Sequence, residues 1–414
     1  MKKRLVSLLV GGMLATSAAI GFAGCGEKDN KITLWGPSAQ QESLKEMVAL
    51  FKEQNPNFGL EIELGVAGEG DAYSMMSNDP KSGADVFAYA NDQIANLYGL
   101  GALARIGDSV VADLKSTNTL SSVDAGKIGD SYYGYPYAAD NGFFMYYDKS
   151  VVSEEQAKSL DAVLDACAEA GKYFIYQLTT GWYAGSFIYG AGGEYTVKYD
   201  GSTVDEITCN FDQKPQGSEY TYGELGGQQL IDIKKHDAFV DGDDNVISTY
   251  LTGKRLGACI SGTWNAGLIE KYLGDNYAAT VLPKWKSQLD GKEYDWKSFA
   301  GYKLYGVNAF SKHLGEAHKL AAFLSSQAMQ EKRFDDSAIG PSNTAVAAMD
   351  KVKNNVAIST ITRQIAENSV IQTAMPSSYW TEMESFANAM KAWDGSGNLS
   401  TRVQELVTAL KANG

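Results

Sequence analysis

Strand-like runs alternate with amphipathic helical patterns along most of the chain, and this alternation limits the possible folds more than any other feature. Residues 32–35 form a short apolar run typical of a strand. The residues that follow have the i, i+3, i+4 and i+7 spacing of one apolar helix face: Leu44, Met47, Val48 and Phe51. Asn55 and Pro56 then end the predicted helix. Alternation of this kind predicts α/β layers.

The two patterns recur in the rest of the chain. Further strands are predicted at residues 60–64, 84–88, 143–147, 172–177 and 255–260. Further helices are predicted at residues 91–98, 160–170, 378–393 and 403–410. The segment 195–227 is polar and rich in glycine and turn residues, which predicts a loop or a small hairpin insertion. No internal repeat occurs, and the length favours two domains or one large bilobal unit.

The N-terminal segment has the pattern of a secretory signal. Three basic residues open it: Lys2, Lys3 and Arg4. The apolar run 5–22 is diluted by glycine and lies too close to the terminus to predict a membrane-spanning helix. It ends in Phe22-Ala23-Gly24-Cys25, which resembles the lipobox of bacterial lipoproteins. That resemblance implies removal of residues 1–24, a diacylglyceryl group on Cys25, and a tether at 25–30; the alternative is an ordinary signal with a chance cysteine.

The charge balance excludes one class of partner. Without the three basic residues of the leader, 33 of the 36 Lys and Arg remain against 50 Asp and Glu, which gives a net charge of −17. So acidic a surface repels nucleic acid and anionic lipid headgroups. The 24 Tyr and 7 Trp exceed what a core requires, and their amphipathic rings favour half-exposed binding surfaces.

No metal, cofactor or disulfide scaffold is predicted. Besides Cys25, an odd number of cysteines remains, without metal-like spacing: Cys167, Cys209 and Cys259. Cys167 and Cys259 lie in apolar surroundings and are expected to be buried. The histidines have no ligand spacing either: His236, His313 and His318. The chain also lacks the nucleophile elbow, the phosphate-binding loop and the zinc-protease motif.

Seven segments, in order, resemble the extracellular solute-binding proteins of ABC importers, most closely the maltose/maltodextrin-binding group. The segments are KITLWG at 31–36, DVFAYAND at 85–92, YPYAAD at 135–140 with MY at 145–146, GWY at 181–183 with GG at 192–193, ISGTW at 260–264, TVLP at 280–283 and MPSSYW at 375–380. Together they span nearly the whole chain after the leader.

The resemblance implies a periplasmic-binding-protein-like α/β fold, in which two α/β lobes joined by a hinge enclose a ligand cleft. The implied N-lobe consists of residues 31–138 plus 301–352. The implied C-lobe consists of residues 141–298 plus 355–414. The chain would cross between the lobes near 138–141, 298–301 and 352–355.

The implied function is capture of malto-oligosaccharides (α-1,4-glucans) and their delivery to an ABC permease, without enzymatic activity. The protein would be a monomer, anchored by lipid at the extracellular face of the cytoplasmic membrane. One alternative is a binding protein for another oligosaccharide, of the xylo- or galacto-type. A second is a surface glycosidase that uses two cleft carboxylates drawn from Asp92, Asp140 and Glu69.

A sugar ring has apolar C–H faces and a hydroxyl rim, so its binding site needs flat aromatic rings and well-placed polar groups. Local context and the resemblance together predict four aromatic platforms: Trp182, Trp264, Trp380 and Tyr89. Two acids are predicted to accept hydrogen bonds from sugar hydroxyls: Asp92 and Asp140. Four further residues near loops are candidate contacts: Gln40, Gln41, Glu69 and Asp71.

Four positions depart from the pattern of the maltodextrin group. Thr180 stands where that group has an acidic residue, and Gly181 where it has proline. Gln93 replaces a basic residue, and Glu384 stands where an arginine is expected. These departures leave the aromatic platforms in place and affect the polar contacts, so the ligand length and linkage stay open.

Overall fold

The computed structural model describes residues 30–412, so the predicted leader, Cys25 and most of the tether lie outside the described residues. The strands are β1 (Lys31–Gly36), β2 (Glu61–Val66), β3 (Val86–Ala90), β4 (Lys127–Ile128), β5 (Ser131–Tyr132), β6 (Tyr135–Asn141), β7 (Phe144–Asp148), β8 (Tyr173–Tyr176), β9 (Tyr195–Asp200), β10 (Thr203–Cys209), β11 (Phe239–Asp241), β12 (Leu256–Ser261), β13 (Tyr277–Thr280), β14 (Trp285–Lys286), β15 (Glu293–Tyr294), β16 (Ser298–Val307) and β17 (Ser369–Ile371).

The α-helices alternate with these strands, as the sequence pattern predicts. They are α1 (Gln41–Gln54), α2 (Ala72–Asn78), α3 (Ile94–Gly99), α4 (Asp108–Thr117), α5 (Leu120–Asp124), α6 (Leu160–Glu169), α7 (Gly181–Ala184), α8 (Ser186–Gly190), α9 (Tyr222–Ile233), α10 (Asp244–Thr252), α11 (Ala266–Leu273), α12 (Leu314–Leu324), α13 (Gln327–Ser337), α14 (Thr344–Ala347), α15 (Asp350–Lys353), α16 (Val356–Glu367), α17 (Ser377–Lys391) and α18 (Leu399–Ala412). Within residues 30–412, no helix combines the length and apolarity needed to cross a bilayer.

A six-stranded sheet organises the first lobe, which we call the N-lobe. Its strands run in the order β17-β16-β3-β1-β2, and β6 also pairs with β16. Strands β1, β2 and β3 are parallel, so the residues that follow them lie at the same edge of the sheet. This edge faces the cleft and presents residues 37–40, 67–70 and 91–93.

The first predicted helix shows how apolar spacing produces the N-lobe core. The four residues of its predicted face are buried in α1 and belong to one cluster with Ile32 and Leu34 of β1. The helix ends at Asn55, whose Nδ2 donates a hydrogen bond to the carbonyl oxygen of Phe51 (2.8 Å). The helix prediction is therefore confirmed, together with its end.

A five-stranded sheet, in the order β11-β8-β12-β7-β13, organises the second lobe, which we call the C-lobe. Large aromatic side chains fill its core, and Trp285 and Trp296 are almost fully buried there. Cys167, Cys209 and Cys259 are free and buried, as expected for the first and third. Burial raises the pKa of Cys167 to about 12, so this thiol stays protonated at neutral pH.

The expected loop or hairpin at 195–227 is confirmed over 195–221 and wrong over 222–227. Strands β9 and β10 form the hairpin, but α9 begins at Tyr222 within the segment. Thr221 and Glu224 form a reciprocal capping box at its start. A Cβ on Gly226 would lie 2.6 Å from the backbone nitrogen of Ile188. The glycines that suggested a loop therefore allow a helix to pack closely against α8.

Polar side chains hold the chain crossings between the lobes together. Asn141 Nδ2 donates to Gln372 Oε1 (3.0 Å), and Asn91 Nδ2 donates to the Gln372 carbonyl oxygen (2.5 Å). The backbone nitrogen of Tyr302 donates to Asn91 Oδ1 (2.8 Å). A Cβ on Gly301 would lie within 3.0 Å of the amide side chains of all three partners. We call Asn91, Asn141 and Gln372 the hinge amides; the predicted lobe boundaries themselves stay a prediction.

Candidate ligand-binding cleft

A cavity of about 1070 Å³ lies between the two lobes. It exceeds the usual range of small-molecule pockets, about 300–1,000 Å³. Both lobes contribute predicted site residues to its walls: Gln40, Glu69 and Asp92 from the N-lobe, and Trp182, Trp264 and Trp380 from the C-lobe. The structure thus brings together six of the ten predicted contacts.

The indoles of Trp182 and Trp264 form one aromatic wall. Their ring centroids are 5.9 Å apart and their planes are inclined by 47°. Trp264 follows the end of β12, and its Nε1 donates to Asp244 Oδ2 (3.0 Å). A Cβ on Gly262 would lie 1.9 Å from the Trp264 ring. Glycine at that position therefore allows the indole to fold back over its own backbone.

Trp380 lies in the first turn of α17, close to the other platforms. The ring of Phe299 packs between them, with centroid distances of 5.7 Å to Trp380 and 6.4 Å to Trp182. A Cβ on Gly181 would lie 2.3 Å from the carbonyl oxygen of Trp380. The absence of a side chain there lets α7 approach α17, which fixes two indoles on adjoining elements.

Asp92 is a buried acid with an unpartnered oxygen at the cleft. It follows β3, its side chain is 5 % exposed, and it lines the cavity. Among residues 30–412, no group hydrogen-bonds its Oδ1. Burial raises the pKa of Asp92 to about 7, because desolvation disfavours the charged form. The Asp92 carboxylate can therefore accept hydrogen bonds from a ligand bound in the cleft.

Gln40 and Glu69 form a polar pair on the same wall. Gln40 Nε2 donates to Glu69 Oε1 (3.2 Å), and the Tyr137 hydroxyl donates to the same oxygen (2.6 Å). Gln40 Oε1 is buried and has no hydrogen-bond partner in the part of the chain that the structure describes. The pair is thus held in place while an acceptor oxygen stays available.

The structure corrects the prediction that Tyr89 is a fourth platform. Strand β3 is buried on both faces, and Tyr89 is 0 % exposed in the N-lobe core beside Phe87. A Cβ on Gly134 would lie 2.3 Å from the Tyr89 hydroxyl, so this side chain faces away from the cavity. Its ring has no free face for a ligand.

Asp140 also lies outside the cavity walls. It is 0 % exposed, and its Oδ2 accepts hydrogen bonds from Thr263 Oγ1 and from the backbone nitrogen of Gly340, both at 2.6 Å. Lys303 Nζ lies 3.6 Å from its other oxygen. Asp140 is therefore a buried structural acid that links the two lobes, and its predicted contact with ligand is corrected.

Gln41 and Asp71 are the other two predicted contacts that the structure places away from the cavity walls. Gln41 Nε2 donates to the carbonyl oxygens of Gly36 (2.8 Å) and Gly65 (3.2 Å), where it ties together the ends of β1 and β2. Asp71 is exposed immediately before α2. Neither residue lines the cavity.

The model of the family "bacterial extracellular solute-binding protein" matches residues 46–360. The chain belongs to this family. The galactooligosaccharide-binding protein of Bacillus subtilis (strain 168) is 25% identical over 370 residues, which cover 85% of this chain and 84% of that protein.

Solved structures show that this solute-binding protein shares its fold with sugar-binding relatives. A structure with acarbose is 27% identical, covers 92% of this chain and 98% of its own, and has a TM-score of 0.79. The maltotriose-binding protein of Thermus thermophilus, bound with maltotriose, is 18% identical, with coverages of 92% and 99% and a TM-score of 0.76. The maltodextrin-binding protein of L. casei BL23 has a TM-score of 0.73 at 20% identity, with coverages of 93% and 100%.

Lys303 is a further cavity residue of this solute-binding protein that the sequence patterns do not indicate. It stands on β16, and its side chain lines the cavity and is 8 % exposed. Burial alone would lower the pKa of Lys303, but the nearby carboxylates of Asp140 and Glu69 outweigh burial and raise it. The sequence feature that could have indicated this residue is the presence of a lysine within the apolar strand 298–307.

The structure places the other three departures besides Gly181. Gln93 Oε1 accepts from the Tyr73 backbone nitrogen (2.8 Å), and its Nε2 donates to the Glu69 carbonyl oxygen (2.9 Å). Gln93 therefore orders the loop beside Glu69. Thr180 carries a buried hydroxyl without a hydrogen-bond partner among residues 30–412. Glu384 is exposed on α17.

Proposed function

We propose that this chain is the oligosaccharide receptor of an ABC importer, which captures neutral oligosaccharides in the cleft and delivers them to a membrane permease. One observation carries the proposal: half-buried indoles on the C-lobe share a cavity with buried, unpartnered oxygens on the N-lobe, Asp92 Oδ1 and Gln40 Oε1. A sugar satisfies both, because its ring faces are apolar and its hydroxyls donate hydrogen bonds.

Stacking on the three indoles does not reach micromolar binding by itself. Covering about 100 Å² of sugar face stabilises a complex by about 2.5 kcal/mol, so three indoles contribute roughly 7 kcal/mol. A micromolar dissociation constant corresponds to about −8 kcal/mol, and association costs must be subtracted. Hydrogen bonds from sugar hydroxyls to Asp92 and Gln40 therefore have to supply the rest.

Malto-oligosaccharides are our first candidate ligands. The cavity combines several indoles with acids, and sugar-binding relatives of the same fold include proteins bound with maltotriose and acarbose. Galacto-oligosaccharides are the second candidate, because the relative from Bacillus subtilis binds this class and aligns over 370 residues.

The mechanism is a hinged clamp. Its lobes, at 31–138 plus 301–352 and at 141–298 plus 355–414, close around the sugar because the closed form binds it better. Closure presents both lobes to the permease. The diacylglyceryl group on Cys25 keeps the monomeric receptor at the extracellular face of the cytoplasmic membrane, since two acyl chains suffice for stable anchoring.

The test is a calorimetric titration of the soluble chain beginning at Gly26 with maltotriose, maltotetraose, galactotriose and xylotriose. We expect micromolar binding of the malto-series and recovery of intact sugar after incubation. Binding of galactotriose alone would select the second candidate. Hydrolysis of any sugar would overturn the receptor and support a glycosidase. Of the three candidate acids, Asp92 and Glu69 line the cleft.

A further inference from the structure

A buried ammonium group lies at the floor of the cleft. Lys303 stands on β16, paired in register with Ala90 of β3 and Ala138 of β6, and its side chain lines the cavity. Its Nζ lies 5.7 Å from the centroid of the Trp264 ring, over one face of the indole. A sugar ring bound against Trp264 would therefore meet this ammonium.

The ion pair of Lys303 leaves hydrogen-bonding capacity unused. Its Nζ lies 3.6 Å from Asp140 Oδ1, which is longer than an N–H···O hydrogen bond. Asp140 Oδ1 has no hydrogen-bond partner in the described part of the chain. An ammonium carries three N–H donors, and buried polar groups are normally satisfied. A ligand oxygen beside the ammonium would take up one of its unused N–H donors.

We propose that Lys303 is a ligand-contacting and specificity-determining residue, whose ammonium donates hydrogen bonds to hydroxyl oxygens of a neutral sugar bound against Trp264. This inference rests on the proposed function and deepens it. Asp140 is the positioning residue: its Oδ1 holds the ammonium, while its Oδ2 accepts from Thr263 of the C-lobe and Gly340 of the N-lobe.

The local charges select a neutral ligand. The carboxylates of Asp140 and Glu69 and the guanidinium of Arg333 all act on the ammonium of Lys303, so positive and negative charges already oppose one another here. A uronate would add a charge with no partner of its own, and burying an unpaired charge is costly. A sugar hydroxyl oxygen accepts a hydrogen bond from the ammonium without adding a charge.

The experiment compares Lys303→Met with the double variant Lys303→Met/Asp140→Asn by titration with maltotriose, galactotriose and trigalacturonate. The double variant removes both charges together, and the carboxamide oxygen introduced by Asp140→Asn keeps an acceptor for Thr263 and Gly340. Thermal unfolding monitors whether each variant is folded. Lys351→Met is the matched control, because Lys351 also lines the cavity but is satisfied by Asp335 and Glu331 at 2.8 Å.

We expect the folded double variant to bind the neutral trisaccharide about 10- to 100-fold more weakly than the wild type, as befits loss of a charged hydrogen bond. The affinity of the Lys351→Met control should differ from that of the wild type by less than about threefold, since exposed ion pairs contribute little free energy. Unchanged affinity in the double variant would overturn the inference alone. Tighter binding of trigalacturonate than of neutral sugar by the wild type would overturn the inference together with the neutral ligand of the proposed function. A wild type that binds no neutral sugar would overturn the proposed function with it.

Discussion

The indoles of Trp182 and Trp264 face the cleft with ring centroids 5.9 Å apart and planes inclined by 47°. Such a pair presents two differently oriented flat surfaces, and an oligosaccharide chain that bends from one ring to the next can cover both. Trp182 is backed by Phe143 at 5.0 Å, and Trp264 is fixed by its bond to Asp244. Both platforms are therefore rigid before the ligand arrives, which lowers the entropy cost of binding.

Removing one platform should weaken binding strongly. We expect Trp264→Ala to lose about 2.5 kcal/mol, or roughly 70-fold in affinity, because about 100 Å² of sugar face loses its cover. Isothermal titration with the tightest-binding trisaccharide measures this. Trp393→Ala is the control, since Trp393 packs on the C-lobe core outside the cavity walls. If Trp264→Ala and Trp393→Ala lost the same affinity, Trp264 would contribute to stability rather than to sugar binding.

Binding should depend on pH through Asp92. Because the pKa of Asp92 is raised to about 7 in the empty cleft, roughly half of the molecules carry the carboxylate at neutral pH. A sugar that donates to this carboxylate favours ionisation and releases a proton, so affinity should rise from pH 5.5 to pH 8. Titration in two buffers of different ionisation enthalpy measures that proton. In Asp92→Asn the pH dependence should disappear, and a wild-type affinity that is flat over this range argues against the contact.

The hinge amides should tolerate no side chain at position 301. Gly301→Ala would place a Cβ 2.5 Å from Gln372 Oε1 and 2.9 Å from Asn141 Nδ2, which breaks a partly buried hydrogen bond between crossing segments. We expect a loss of about 1–3 kcal/mol in unfolding free energy. Urea denaturation measures it. Gly315→Ala, in α12 with open space around the new methyl group, should leave stability unchanged or raise it.

Asp140 should matter for stability more than for direct contact with ligand. Asp140→Ala leaves Lys303 buried beside an empty position and removes the acceptor for Thr263 and Gly340. We expect the free energy of unfolding to fall by roughly 3–5 kcal/mol, as for other broken buried ion pairs. Chemical denaturation of the ligand-free protein measures this free energy. A variant as stable as the wild type, with weaker sugar binding, would restore Asp140 as a contact.

Local sequence patterns predicted much of the fold and the position of three indoles at the cavity. The face of α1 follows from apolar spacing alone, and it is buried as expected. Trp264 could be placed at a strand end because a glycine and a threonine precede it. These features depend on neighbours within a few residues, which is the range that a sequence pattern reports.

The errors concern relations between distant segments. Asp140 was expected in the cleft, but its partners Thr263 and Gly340 lie 123 and 200 residues away. Tyr89 was expected to face a ligand, but β3 is buried on both faces and Tyr89 packs in one cluster with Phe87 and Leu304. Lys303 was missed because a strand pattern does not reveal which face meets the cleft. The glycines of α9 suggested a loop because their contact with α8 is invisible in the sequence.

The binding mode is measured most directly by a crystal structure of the chain beginning at Gly26 with its tightest-binding trisaccharide. We expect a sugar ring stacked on Trp264 or Trp182, with a sugar hydroxyl about 2.7–3.0 Å from Asp92 Oδ1. A trisaccharide bound outside the cleft, or bound within it without contact to either indole, would rule out this binding mode.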